Sequence, residues 1–200
     1  MTRDEFISKY WNHYLILEED FIKTNRYVDL DESNFKVYSV EFLKQLQAIC
    51  SEVEALFKEI SGITAIKGTF TINDYAKFIL SKDSWMSDIV EKNINIKRKD
   101  IRLTPFKNWD ENRASKSLSW WKDYNSVKHN RIINYKKANL KNVLDSLSAL
   151  YLLEMYLLKK VCKEKNNKND IPDRESNLTF KLNSTWNPLL LGVRVDFILS

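Results

Sequence analysis

The feature that most constrains the fold is the apolar segment that runs from residue 138 to about residue 163. Its large hydrophobic side chains recur every three or four residues, and additional leucines and a methionine widen the apolar face. They are Leu140, Val143, Leu144, Leu147, Leu150, Tyr151 and Leu158, widened by Leu152, Leu153, Met155 and Leu157. A helix that is apolar on most sides is typical of the centre of a bundle.

Four other segments have helical periodicity and surround this predicted central helix. They cover residues 3–26, 39–60, a shorter stretch after Thr71, and 115–135, where a break is compatible with the pattern. Ser39 is positioned as an N-cap and Gly62 as a stop, while Thr71 and Asp74 have the spacing of a capping box. Only three Gly and three Pro interrupt the chain, as long helices require.

Two regions alternate apolar and polar residues, as short strands do. In the first, residues 93–106, Ile94, Ile96, Ile101 and Leu103 alternate around a turn near residues 99–100. In the second, alternation covers residues 178–182 and 193–197, with Gly192 in the connection between them. We therefore predict a mainly α fold: an antiparallel bundle of four to five helices with a small accessory antiparallel β element.

The same pattern predicts how the chain is divided into domains. Residues 1–165 are expected to form the helical bundle, with a β-hairpin inserted around residues 93–106. Residues 166–200 are expected to form a linker and a β-like extension that packs on the same domain. The linker is indicated by its charged, Asn-rich composition.

Positive charge is concentrated in one part of the chain. The net charge is +5, but residues 1–60 carry seven basic and twelve acidic side chains. Residues 113–141, which we call the basic segment, carry eight basic side chains and one acidic one, a local charge of +7. Such a segment attracts polyanions by releasing their counterions, although a solvated lysine-rich surface has the same composition.

Several classes of site are excluded by the residues that the chain lacks. It has no glycine-rich phosphate loop, no Cys-x-x-Cys and no His-Glu-x-x-His, and its only imidazoles are His13 and His129. We therefore expect no cofactor and no metal site, and we interpret Cys50 and Cys162 as buried thiols. Without a visible leader or a sufficiently long apolar span, the expected location is the cytoplasm, with no membrane partner.

The basic segment contains the residues best suited to chemistry. Asn125 and His129 are four residues apart, so a continuous helix places them on one face. An imidazole can take up and return a proton near neutral pH, and RNA supplies its own nucleophile, the 2′-hydroxyl. Alternatively, His129 is a hydrogen-bonded structural residue. The neighbouring Trp120 and Trp121 fit core anchors better than base-stacking platforms.

The stretch Tyr124-Asn125-Ser126-Val127-Lys128-His129 resembles the Arg-Asn-x-x-x-His motif of HEPN domains, with Tyr124 in the arginine position. The resemblance implies a helical bundle, commonly a homodimer, and a metal-independent ribonuclease of a toxin–antitoxin or phage-defence system. In that interpretation His129 is the general acid/base, Asn125 orients the imidazole or the phosphate, and Tyr124 replaces the arginine with a hydroxyl donor.

The cations of the basic segment complete this interpretation. Lys128 and Arg131 flank His129 and would stabilise charge that develops on the phosphate. RNA-backbone contacts are assigned to Lys128 and Arg131 together with Lys122, Lys136 and Lys137.

Two alternatives to a ribonuclease remain open. One is a degenerate HEPN-like protein that binds RNA without cutting it. The other is a non-enzymatic helical interaction module or scaffold, whose basic segment contacts an acidic protein partner such as an antitoxin. A further expectation concerns Glu154 on the apolar helix, which should be held in a polar network by Lys128, Arg131 or a tyrosine hydroxyl.

Overall fold

The computed structural model describes residues 1–62, 70–96, 100–164 and 191–192; for residues 3, 162–164 and 191–192 it describes the backbone only. The described chain is mainly helical, as predicted. Its α-helices are α1 (Arg3–Phe6), α2 (Asn12–Thr24), α3 (Val40–Ser61), α4 (Ile72–Leu80), α5 (Ala114–Ser117), α6 (Ser119–His129), α7 (Arg131–Asn134) and α8 (Leu140–Glu164). A π-helical turn, Ile7–Trp11, joins α1 to α2, and short 3₁₀ turns cover Glu32–Asn34, Ser87–Glu91 and Tyr135–Lys137.

The helix ends follow the capping signals of the sequence. The Ser39 hydroxyl accepts a hydrogen bond from the Phe42 N–H (3.0 Å), which begins α3, and Gly62 ends it at a φ of +63° that favours glycine. At the start of α4, Thr71 and Asp74 form both halves of a capping box. These local predictions are confirmed.

The centre of the bundle is the pair α3 and α8, which pack along most of their lengths. At one end the Leu140 N–H donates to the Val37 carbonyl (2.9 Å), and at the other Lys160 Nζ donates to the Glu59 carbonyl (3.2 Å). The two helices therefore run parallel, so the prediction of an antiparallel bundle is wrong for this central pair. The physical reason is that the chain between them returns to the end where α3 began.

Helix α2 lies antiparallel to α3. The Gln45 side chain of α3 donates to the Asp20 carbonyl near the end of α2 (3.0 Å). Further along α3, Glu52 pairs with His13 near the start of α2 (3.2 Å). The core between the helices is rich in rings, among them a set around Phe57 of α3 that includes Tyr75, Trp109 and Trp121. Cys50 is buried there, as predicted, whereas the side chain of Cys162 lies outside the described residues.

The predicted β element is a three-stranded antiparallel sheet, ordered β2-β1-β3. Strand β1 (Ile94–Ile96) pairs with β2 (Arg102–Leu103), as the sequence predicts. Strand β3 (Leu191–Gly192) pairs on the other side of β1, although Gly192 was expected in a connection. The predicted strands at 178–182 and 193–197 lie outside the described residues. Within the described residues, no helix is long and apolar enough to cross a membrane.

Candidate functional site

Helix α6 is held in the bundle by one aromatic face. Trp120, Trp121 and Tyr124 are at most 5% exposed, and the Trp120 indole N–H donates to the Pro105 carbonyl (2.8 Å). Both tryptophans are therefore core anchors, as expected, and neither presents a ring to a ligand. Because successive residues of an α-helix are rotated by about 100°, this buried face fixes which side chains of α6 reach solvent.

The opposite face of α6 forms a shallow surface depression of about 360 Å³. Its lining residues come from α5, α6 and the start and end of α7: Ser115, Lys122, Asn125, Ser126, His129, Asn130 and Asn134. His129 is exposed and Asn125 is half-buried. Of the residues assigned to catalysis and RNA contact, Asn125, His129 and Lys122 therefore lie together at solvent.

Tyr124 is not part of this depression. It is 5% exposed, and its ring packs against Trp121 with centroids 5.3 Å apart. Burial, followed by the charges of Cys50 and Glu54 on α3, raises the pKa of the Tyr124 hydroxyl to about 12. The idea that this hydroxyl replaces the motif's arginine in contacting a ligand is therefore not supported by the geometry, because the residue before Asn125 faces the core.

The other cations assigned to RNA contact do not line the depression. Lys128 is exposed on the Tyr124 side of α6, with its Nζ 5.6 Å from the Tyr124 ring centroid. Arg131 is exposed at the start of α7, and Lys136 lies over the ring of Tyr38 (5.9 Å).

Two lysines of the segment already have carboxylate partners. Lys137 pairs with Asp123 at 3.4 Å, and Lys141 pairs with Asp145. Of the proposed RNA-binding residues, Lys122, Lys128, Arg131 and Lys136 make no ion pair with any residue that the structure describes. Their charge is thus available to an anionic ligand, whereas Lys137 is partly neutralised.

The connection after His129 is tied back onto α6. Asn130 leaves the helical conformation, and its own N–H bonds to the Ser126 carbonyl (3.0 Å). The Asn134 amide donates to the carbonyls of Ser126 (3.1 Å) and Asn130 (3.0 Å). Between these two asparagines, Ile132 and Ile133 are 91% and 79% exposed.

This arrangement can bind an anion and move a proton. Lys122 supplies charge, Asn125, Ser126 and Asn130 supply hydrogen-bonding groups, and His129 supplies an imidazole open to water. Within the described parts of the chain, His, Cys, Asp and Glu form no group that could hold a metal ion. The described side chains of the depression therefore offer one cation, several hydrogen-bonding groups and one imidazole.

The prediction that a polar network holds Glu154 is corrected by the structure. The residue is 2% exposed, and its Oε2 has no hydrogen-bond partner among the described residues, so neither Lys128, Arg131 nor a tyrosine hydroxyl reaches that atom. Burial, reinforced by the charge of Glu52, raises the pKa of the Glu154 carboxyl well above its ordinary value. Both effects favour the neutral form of this carboxyl, and the group belongs to the core and not to the depression.

Sequence reasoning missed part of the site. Ser115 joins it through a tertiary contact, the bond from the Ser115 N–H to Asn73 Oδ1 of α4 (3.3 Å). Asn130 and Asn134 had a usable signal, because asparagine favours helix ends and lies there at four-residue spacing after Ser126. The exposed Ile132 and Ile133 had none, since an isoleucine pair in a helical segment is typical of a core.

Comparison of the chain with protein-family models, with curated proteins and with solved structures gave no match in any of the three.

Proposed function

We propose that this chain is an RNA-directed protein of the HEPN kind, which binds the phosphate backbone across α6 and uses His129 for metal-independent cleavage. The observation that carries the proposal is the meeting of His129, Asn125 and Lys122 in one solvent-filled depression. These three side chains are adjacent on the outer face of α6 within the basic segment.

The charges around the depression support an anionic ligand. Four of the five cations assigned to RNA contact have no ion pair among the described residues, and no acidic residue occurs between Asp123 and Asp145. A polyanion that contacts Lys122 therefore meets further positive charge towards the C-terminal end of α6, at Lys128 and at Arg131. Such an extended cationic surface fits the repeated phosphates of a nucleic acid better than a single small anion.

The cleavage step needs few groups. The imidazole of His129 takes the proton of the 2′-hydroxyl as the oxygen attacks the adjacent phosphorus, and the bond to the 5′-oxygen breaks as that oxygen is protonated. Lys122 stabilises the charge on the phosphoryl oxygens, and Asn125 hydrogen-bonds the imidazole or the phosphate. A second copy of the chain, which the resemblance to HEPN domains implies, supplies the acid for the leaving oxygen through its own His129.

RNA binding is tested by salt titration. Affinity of the wild type for a structured RNA should fall steeply with salt concentration, because counterions are released when phosphates are neutralised. Replacing Lys122 or Arg131 by Gln should each lower the slope of log K against log salt by about one. Lys9→Gln, at an exposed lysine in the acidic first part of the chain, is the matched control and should leave the slope unchanged.

A weak affinity that does not depend on salt would contradict the RNA proposal. It would favour the alternative of a helical interaction module with an acidic protein partner.

Cleavage is tested separately, by incubating labelled RNA with the protein in EDTA. His129→Ala should lower the cleavage rate by roughly 10²–10⁴-fold, the usual contribution of a general acid/base. His13→Ala is the control, since His13 is exposed and pairs with Glu52 on a different surface, and it should cleave like the wild type. Equal cleavage by the wild type and His129→Ala would indicate a contaminating nuclease, and no cleavage by the wild type would leave a binding protein.

A further inference from the structure

Two adjacent isoleucines stand out from the hydrophobic side chains of this protein. Ile132 and Ile133 are 91% and 79% exposed, although most large apolar side chains of the described chain are buried in the core. A single exposed isoleucine needs no explanation, but two neighbours on one short helix leave apolar area projecting on two adjoining sides of it. Such a surface gains free energy when a ligand covers it.

This projection is held in a fixed position next to the depression. Asn130 and Asn134, which flank the isoleucines in the chain, both line the depression with His129. The Asn130 side chain accepts a hydrogen bond from the Ile133 N–H (3.4 Å), and the Asn134 amide bonds back to α6. The two isoleucines are therefore presented at the edge of the site by polar ties at both ends of α7.

The surroundings of the projection indicate what covers it. Arg131 precedes the pair and Lys136 follows it; both are exposed and neither has an ion pair with a described residue. Amide and hydroxyl groups lie alongside at Asn125, Ser126 and Asn130. A nucleotide presents the complementary set: a phosphate for the cations, polar base edges for the amides, and an apolar base face for the isoleucines.

The apolar component distinguishes between forms of RNA. In a regular A-form duplex the base faces are stacked on one another and only phosphates, 2′-hydroxyls and base edges are accessible. Two isoleucine side chains would remain in contact with water against such a surface. They are covered only if a base leaves the stack, as proteins achieve when they insert apolar side chains between base steps.

We propose that Ile132 and Ile133 form a base-contacting wedge, which covers the face of an unstacked nucleobase while the adjacent cations hold its phosphate. The inference rests on the proposed RNA-directed function and extends it to the choice of substrate. The wedge selects RNA in which a nucleotide is displaced from the helix next to paired residues. Displacement also frees the sugar-phosphate backbone to align the 2′-oxygen with the breaking bond beside His129.

The test uses two RNA hairpins that differ by one bulged 2-aminopurine, a base whose fluorescence rises when it is unstacked. The wild type should bind the bulged hairpin roughly tenfold more tightly than the fully paired one, because the isoleucines bury apolar area only with the bulge. Its binding should also raise the fluorescence of the 2-aminopurine.

The informative variant is Ile132→Ser/Ile133→Ser, in which both side chains are too exposed for the change to disturb the core. It should bind the two hairpins with equal affinity, close to that of the wild type for the paired one, and without the fluorescence rise. Ile16→Ser is the matched control, since Ile16 is 58% exposed on α2, and it should retain the wild-type preference. Unchanged circular dichroism spectra would establish that each variant is folded.

The outcomes separate the inference from the function beneath it. A double variant that keeps the tenfold preference and the fluorescence rise overturns the wedge but leaves RNA binding intact. A wild type that binds neither hairpin overturns both. If the double variant binds RNA like the wild type but loses binding to vesicles of phosphatidylcholine and phosphatidylserine, the isoleucines contact a membrane surface and the inference is wrong.

Discussion

At the scale of single residues, Glu154 shows how a buried acid adapts to this core. It lies in the middle of α8, is 2% exposed, and has an oxygen without a hydrogen-bond partner among the described residues. Both burial and the nearby charge of Glu52 disfavour its carboxylate form, so the pKa is raised in the folded state. The folded protein consequently binds a proton at this position that the unfolded chain releases at its ordinary pKa of 4.5.

This difference predicts how stability depends on pH. As pH rises above about 4.5, folding must either keep the proton on Glu154 or bury a charge, so the wild type loses stability through the folded-state pKa. Glu154→Gln removes that cost. Near pH 7 its free energy of unfolding, measured by urea denaturation, should exceed that of the wild type by about 1–3 kcal/mol. This difference should close towards pH 3. Glu19→Gln, at an exposed carboxylate of α2, is the control and should show no such pH-dependent gap.

At the scale of secondary structure, α6 presents the site because of how its other face is anchored. The indole of Trp120 is 1% exposed and donates a 2.8 Å hydrogen bond to the buried Pro105, in the segment between β2 and α5. Together with the other buried side chains of this face, that bond sets the rotation of α6 about its axis, which directs Asn125 and His129 outward. The helix is short, with Leu118 and Asn130 interrupting it on either side, and the buried rings of Trp121 and Tyr124 anchor the same face.

The contribution of this bond can be measured with two matched substitutions. Trp120→Phe removes the indole N–H and leaves the Pro105 carbonyl without its donor. Trp11→Phe removes an indole N–H that has no partner among the described residues, from a side chain that is 0% exposed.

Both changes lose ring volume, so their difference in the free energy of unfolding isolates the hydrogen bond. Trp120→Phe should be more destabilising by about 1–3 kcal/mol, as measured by urea denaturation, and it should also weaken RNA binding. Equal destabilisation by the two substitutions would mean that the Pro105 contact does not position α6.

At the scale of the whole molecule, the helices were largely predictable from the sequence because the signals that determine them are local. Apolar periodicity placed α3 and α8, and the caps at Ser39, Gly62 and Thr71 set helix boundaries. The relative direction of α3 and α8 was not predictable, because parallel and antiparallel packing bury the same apolar faces. Only the path of the connecting chain, which periodicity does not report, decides between them.

The candidate site was predictable in the same partial way. The four-residue spacing of Asn125 and His129 correctly places both on one helix face, and it is the hydrophobic pattern of α6 that turns this face outward. The inward position of Tyr124 follows from the same rotation and was missed because the residue was interpreted through the motif it resembles. The contribution of Ser115 depends on its tertiary contact with Asn73 of α4 and has no signal in a single sequence.

The position of β3 in the sheet affects how copies of this protein behave in concentrated solution. Strand β1 is the middle strand, since β2 covers one of its edges and β3 covers the other. A chain shortened before Leu191 would leave the second edge of β1 with unsatisfied backbone donors and acceptors. Such an edge pairs readily with its equivalent in another molecule, so loss of this two-residue strand, remote in sequence from β1, would favour aggregation.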